Sequence, residues 1–67
     1  MKRTWQDIPE IARDLREQYP EQDPLDLSLD VIRGLVVALA TFDDRSDVAG
    51  SQTLSAIQSA WYEEYEQ

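Results

Sequence analysis

The chain has 67 residues, with fourteen acidic side chains against six basic ones and a formal net charge of −8. It contains no cysteine and no histidine, which excludes disulfide bridges, thiolate-held zinc or iron–sulfur clusters, and catalysis that needs either residue. The acidity disfavours binding to nucleic acids or anionic membranes and favours a basic protein partner or a hard cation. Alternatively, it only keeps a small protein soluble. We expect one non-catalytic domain over residues 1–67.

The first helical pattern runs from Asp7 to Pro20. Asp7 and Glu10 have the spacing of a capping box, and Pro20 steers the preceding residue out of the helical region. One face of this helix is apolar. Its members are Ile8, Ile11, Ala12, Leu15 and Tyr19.

Beside that face, four acidic residues recur at intervals of three, four and three, which places them on a single ridge. Like charges at this spacing repel by roughly 0.2–0.5 kcal/mol per pair, so a helix selected only for stability would interleave the signs. We interpret the ridge as partner-binding; the alternative is a solvated face. The ridge consists of Asp7, Glu10, Asp14 and Glu17.

The segment after the first helix alternates in polarity. Leu25, Leu27 and Leu29 alternate with Asp26 and Ser28, a pattern typical of a short strand or an ordered connector. Ser28 or Asp30 is expected to cap the helix that follows.

Residues 30–44 hold the densest apolar run and predict a central helix with two apolar stripes. Such a helix is usually buried on more than one side. The helix would end at Phe42, with Asp43 and Asp44 opposing its dipole; we interpret these two carboxylates as a weak metal site for a hard cation. The first stripe is Ile32, Leu35, Val36 and Leu39, and the second is Val31, Gly34, Ala38 and Phe42.

The last predicted helix begins near Ser51, with its apolar stripe formed by Leu54, Ile57, Trp61 and Tyr65. Its end carries Glu63, Glu64 and Glu66, which we include in the partner-binding set. If the helix runs antiparallel to the first, these glutamates lie near Asp7 and Glu10. The large aromatic residues Trp5, Tyr19, Phe42 and Trp61 are assigned to the core.

The sequence also indicates where in the cell the protein is located. No stretch approaches ~18 apolar residues, the length of a membrane span. The first residues also lack the apolar run of a signal peptide. We expect a cytoplasmic protein.

Several short motifs together resemble the IscX (YfhJ) family, small acidic proteins of bacterial iron–sulfur cluster assembly. The resemblance extends over almost the whole chain and needs no gaps. It is carried by Trp5-x-Asp7, Tyr19-Pro20, Asp23-Pro24, Leu39, Phe42-Asp43-Asp44, and Leu54-x-Ala56-Ile57 with Trp61 and Glu64.

The resemblance implies a mainly α, three-helix domain of modified winged-helix or helix-turn-helix type, with at most one or two short strands. It implies binding to the cysteine desulfurase IscS, competition there with a frataxin-like protein, weak binding of iron(II) and no tightly bound cofactor. We expect an adaptor or regulator, monomeric and not an enzyme. An acidic domain that mimics DNA and binds a basic nucleic-acid-binding protein is the alternative. A plain structural domain is a third hypothesis.

Overall fold

The computed structural model describes residues 3–43, 45 and 49–66. Three α-helices dominate it: α1 spans Ile8–Gln18, α2 spans Leu29–Val37 and α3 spans Ser51–Glu66. A 3₁₀ turn, Pro24–Asp26, lies between α1 and α2. In the described part of the chain, pairing of extended backbone is limited to an isolated parallel bridge between Arg3 and Phe42. The predicted mainly α, three-helix domain is confirmed.

The core lies mainly between α1 and α3. Trp61, Ile57 and Leu54 of α3 are almost completely buried and recur at the spacing of one helix face. The facing side of α1 contributes Ile11, Ala12 and Leu15. Removing this apolar surface from water is the main favourable contribution to folding.

The aromatic residues assigned to the core from the sequence lie in it or against it. Trp5, Phe42 and Trp61 are buried, and Tyr19 packs against them from a half-buried position. The Trp5 and Phe42 rings meet edge to face at 4.7 Å, a favoured arrangement for aromatic pairs. Trp5 also donates from Nε1 to the carbonyl oxygen of Arg45 over 2.6 Å. These contacts join the first residues of the chain to the segment before α3.

The α2 helix is shorter and more exposed than the apolar run predicted. It ends at Val37, and turns lead from there to Phe42. Ile32, Val36 and Leu39 of the first stripe are buried, but Val31, Gly34 and Ala38 of the second are exposed. The prediction of a helix covered on more than one side was therefore wrong, because α3 and α1 pack mainly on each other.

The connector between α1 and α2 is not a strand. Asp23 caps the 3₁₀ turn by accepting from the Leu25 backbone N–H at 2.9 Å. Ser28 then caps α2, with its hydroxyl accepting from the Val31 N–H at 3.3 Å, as predicted. Gln58 of α3 holds the connector by donating to the carbonyl oxygens of Pro24 and Leu27. Of the two alternatives for this segment, the ordered connector is therefore correct, and local capping with this anchoring orders it.

Two neighbouring residues of α2 test this packing. Replacing Ile32, which is fully buried, by alanine should lower the free energy of unfolding by about 2–5 kcal/mol, because it leaves a cavity. The matched change Val31→Ala, at a residue that is 46% exposed, should change it by less than about 0.5 kcal/mol. Urea denaturation followed by circular dichroism measures both. Equal losses would show that α2 is covered on both faces.

Candidate partner-binding surface

Two groups of acids were predicted to form one partner-binding surface. We call Asp7, Glu10, Asp14 and Glu17 the α1 acids, and Glu63, Glu64 and Glu66 the C-terminal acids. The helices present both groups at the protein surface, at least in part. The hydrogen bonds made by these acids and by residues next to them show where each group lies.

Asp7 precedes α1, but its carboxylate does not cap that helix. Its Oδ2 instead accepts from the Thr4 backbone N–H at 3.0 Å, while its own N–H donates to the Thr4 carbonyl oxygen. The predicted capping box is thus replaced by a reciprocal pair of bonds with the preceding turn. Asp7 therefore holds the turn that precedes α1 in place.

Asp14 serves the fold directly. Its Oδ2 accepts from Arg3 Nε at 3.1 Å and from Thr41 Oγ1 at 2.9 Å, and its side chain is only 16% exposed. One carboxylate therefore joins three separate segments: the first described residues, α1 and the turn after α2. A change at Asp14 would affect stability as well as any docking.

The other two α1 acids, Glu10 and Glu17, contribute less to the fold. Glu10 is half-buried in the first turn of α1, where a negative charge suits the helix dipole. Glu17 is exposed and, with Asp14 and Gln18, lines a cleft of about 110 Å³ closed on its other side by residues 39–41. Glu10 and Glu17 are thus the α1 acids best suited to probing a partner.

The C-terminal acids lie at the opposite end of α1 from Asp7 and Glu10. Arg16, in the last turn of α1, donates from Nε to the carbonyl oxygen of Glu64 over 3.3 Å. Tyr19 and Trp61 also meet there, with ring centroids 6.3 Å apart. The carboxyl ends of α1 and α3 therefore lie side by side. The antiparallel arrangement that would bring these glutamates to Asp7 and Glu10 was wrong.

The two groups also lie on different flanks of α1. Asp14 faces Thr41, whereas Arg16, two residues later and about 200° further round the helix, faces Glu64. The structure consequently presents two acidic surfaces on either side of α1 rather than one continuous ridge. A partner that contacts both would have to reach around the end of α1.

The predicted metal residues can be placed only in part. Asp43 is exposed and its backbone N–H donates to the Arg3 carbonyl oxygen at 2.8 Å; Asp44 lies outside the described residues. Because α2 ends at Val37, Asp43 is not at a helix carboxyl end, and the expected conflict with a dipole was wrong. Within the described ranges, no three Asp or Glu side chains are grouped to hold a metal ion. Asp43 therefore supplies one oxygen donor group, which suits weak and exchangeable contact with a hard cation.

The sequence interpretation missed a tyrosine pair beside the C-terminal acids. The rings of Tyr62 and Tyr65 are half-exposed, with centroids 6.4 Å apart and planes inclined by 28°. Tyr65 was predicted to continue the buried stripe, but that stripe ends at Trp61. The spacing of three between the tyrosines places them on neighbouring positions of one helix face, a signal that the sequence does contain.

Glu66 and the tyrosine pair interact. The negative charge of Glu66, followed by a hydrogen bond between the two side chains, raises the pKa of Tyr62 above its ordinary value of 10.0. Slight desolvation, the Asp23 carboxylate and Tyr65 act in the same direction. The carboxylates that raise the pKa of Tyr62 thus belong to α3 and to the connector after α1.

Comparison with known proteins shows the family. A family model described as iron–sulphur cluster assembly matches residues 3–66. The chain belongs to the IscX family. The predicted resemblance is confirmed, and a role in iron–sulfur cluster assembly follows from it, as expected in the first of the functional hypotheses.

A relative in Pseudomonas aeruginosa, the uncharacterized protein PA3808, is 42% identical over 64 residues. The alignment covers 96% of this IscX-family chain and 97% of the relative. Among the described residues, no helix has the length and apolar composition needed to cross a bilayer.

The electrostatic effect on Tyr62 can be titrated. Replacing Glu66 by glutamine should lower the pKa of Tyr62 towards 10.0, because the main charge that disfavours tyrosinate is removed. Glu63→Gln, which removes an equal charge from a residue that is not among the causes, is the matched control. Ring NMR signals followed over alkaline pH report each pKa.

The same shift has a consequence for stability. The pKa of Tyr62 is higher in the folded than in the unfolded chain, so the protonated side chain favours the folded state. This contribution to the free energy of unfolding is present below pH 10.0 and is lost as the pH rises through the raised pKa. The Glu66→Gln variant should lose less stability over that range. An identical alkaline loss in both proteins would contradict the assignment.

Proposed function

We propose that this IscX-family protein is a non-catalytic adaptor or regulator of iron–sulfur cluster assembly that docks its acidic side chains on a basic surface of the cysteine desulfurase IscS. The family match over residues 3–66 is the main support. The net charge of −8 adds a physical reason, because opposite charges steer association and raise its rate. Competition with a frataxin-like protein for that surface, and location in the cytoplasm, belong to the same proposal.

The chemistry of the side chains agrees with a non-catalytic role. A cleft of about 460 Å³ lies beside α3, lined by Leu29, Ala56 and Gln52 together with serines 51, 55 and 59. It contains hydroxyl groups, but the chain has no histidine to activate them. The residues that line the cleft include no acid that could act as a base. Docking, rather than covalent chemistry, is the activity these residues support.

Because the acids form two surfaces, the docking proposal is tested by paired charge reversals. Glu10→Arg with Glu17→Arg alters the α1 acids, and Glu63→Arg with Glu66→Arg alters the C-terminal acids. Asp14 is left unchanged because it holds Arg3 and Thr41. Asp30→Arg with Asp26→Arg changes the net charge equally on the exposed connector and the start of α2, and is the control.

Calorimetric titration into purified cysteine desulfurase should show binding that weakens as salt is raised, since exposed charges are screened. Reversal at either acidic surface should weaken binding by about tenfold or more, and the control pair should weaken it less. Circular dichroism verifies folding of each variant. Salt-independent binding, or equal losses for all three pairs, would count against docking through these surfaces. Absence of binding by the unaltered protein at low salt would remove the proposed partner.

Iron(II) enters the proposal as cargo or effector, held weakly by Asp43 and Asp44. Oxygen ligands suit a hard, exchangeable cation, and two adjacent carboxylates leave most coordination positions to water. Under anaerobic conditions, iron(II) should broaden the amide signals around residue 43. The double change Asp43→Asn with Asp44→Asn should reduce that broadening, whereas the charge-matched control, Asp26→Asn with Asp30→Asn, should preserve it. Broadening around residue 43 that survives the first double change would place the ion on other ligands.

A further inference from the structure

A pair of partly exposed aromatic residues lies at the carboxyl end of α3. Tyr62 and Tyr65 stack side by side and remain half-exposed, whereas the neighbouring Trp61 is fully buried. Tyr19, the third tyrosine, instead packs on Trp61. Tyr62 and Tyr65 therefore contribute less to the core than their size would allow. Tyrosine is enriched at protein–protein interfaces, where it buries a large area with little loss of side-chain entropy.

Carboxylates surround the aromatic pair from two elements of the fold. Glu66 lies four residues after Tyr62 on α3, one helical turn along the same face. Asp23 belongs to the connector that Gln58, one turn before Tyr62, holds through the Pro24 carbonyl oxygen. The charges of both carboxylates raise the pKa of Tyr62. The Asp23 carboxylate is positioned by its own bond to the Leu25 N–H. We call Tyr62, Tyr65, Glu66 and Asp23 the tyrosine surface. The fold itself holds these side chains in place, without a bound partner.

The chemistry of this surface selects one kind of cation. A guanidinium is planar, so it can stack on an aromatic face while its edge donates to carboxylates; an ammonium offers only a compact, strongly hydrated charge. We infer that the tyrosine surface binds an arginine side chain of the protein partner, stacked on Tyr62 or Tyr65 and hydrogen-bonded to Glu66 or Asp23. This inference rests on the proposed docking to a desulfurase, and it names the contact that would give that docking specificity beyond charge.

A comparison of variants in the binding assay isolates the aromatic contribution. Tyr62→Ala with Tyr65→Ala should weaken binding to the purified desulfurase by about 5- to 30-fold, the range expected for losing a cation–π contact. Tyr62→Phe with Tyr65→Phe keeps the ring faces and should retain most of the affinity. Val37→Ala removes an exposed apolar side chain from the end of α2, outside the tyrosine surface, and should have no effect. Thermal unfolding verifies that each variant is folded.

A peptide experiment tests the same surface without the desulfurase. The probes are two hexapeptides of equal charge, alternating arginine with glycine and lysine with glycine. The arginine peptide should shift the ring signals of Tyr62 and Tyr65, and the shifts of the neighbouring backbone amides should disappear in the alanine variant. The lysine peptide should shift the ring signals much less at the same salt concentration.

The two experiments separate the possible failures. If the unaltered protein does not bind the desulfurase but the arginine peptide shifts both rings selectively, the proposed partner is wrong and the tyrosine surface stands. If the desulfurase binds and the alanine variant binds equally well, docking stands and the inference is overturned. Equal ring shifts with arginine and lysine peptides would also overturn it, because they would show that charge alone is recognised.

Discussion

Packing of α3 on α1 brings two helix carboxyl ends together, and the other features of the surface depend on this constraint. The buried Leu54, Ile57 and Trp61 fix the contact. Each helix end presents unpaired carbonyl groups and a partial negative charge. The last turn of α3 has no basic residue, whereas α1 has Arg16. Arg16 donates to the carbonyl oxygens of both Glu64 and Pro20, so a single guanidinium joins the end of α3 to the turn that follows α1.

This arrangement concentrates negative potential around Arg16. Glu63, Glu64 and Glu66 add formal charges to the end of α3 beside it. Such placement disfavours the folded state slightly, and proteins commonly retain unfavourable local choices where they bind or react. A cationic partner would reverse the effect, since its charges would interact favourably with the same groups. The acidity of this protein is therefore more than a general aid to solubility at this end of the molecule.

Local patterns in the sequence predicted the three helices, but not the end of α2 or how the helices meet. The spacing of Ile11 and Leu15, and of Leu54, Ile57 and Trp61, predicts the buried faces of α1 and α3. Ser28, one of the two caps expected for α2, marks its start. The orientation of α3 depends on the connections between helices, whose path has no periodic signal. For the same reason, the contacts of Asp14 with Arg3 and Thr41, which are 11 and 27 residues away, could not be predicted from the spacing of acids on one helix.

The end of α2 shows how a tertiary contact can override a helical pattern. It also changes the reason for expecting a metal site at Asp43. Residues 38–42 continue the apolar period, yet Phe42 leaves the helix to meet Trp5, and Asp43 then bonds to the backbone of Arg3. Burial of two aromatic rings outweighs the few hydrogen bonds that another turn of helix would add. Because Asp43 does not lie at a helix end, there is no unfavourable helix dipole to suggest a function for it. The proposed contact with iron(II) then rests on carboxylate oxygens alone, and the exposure of Asp43 favours an ion that exchanges readily over one held as a resident cofactor.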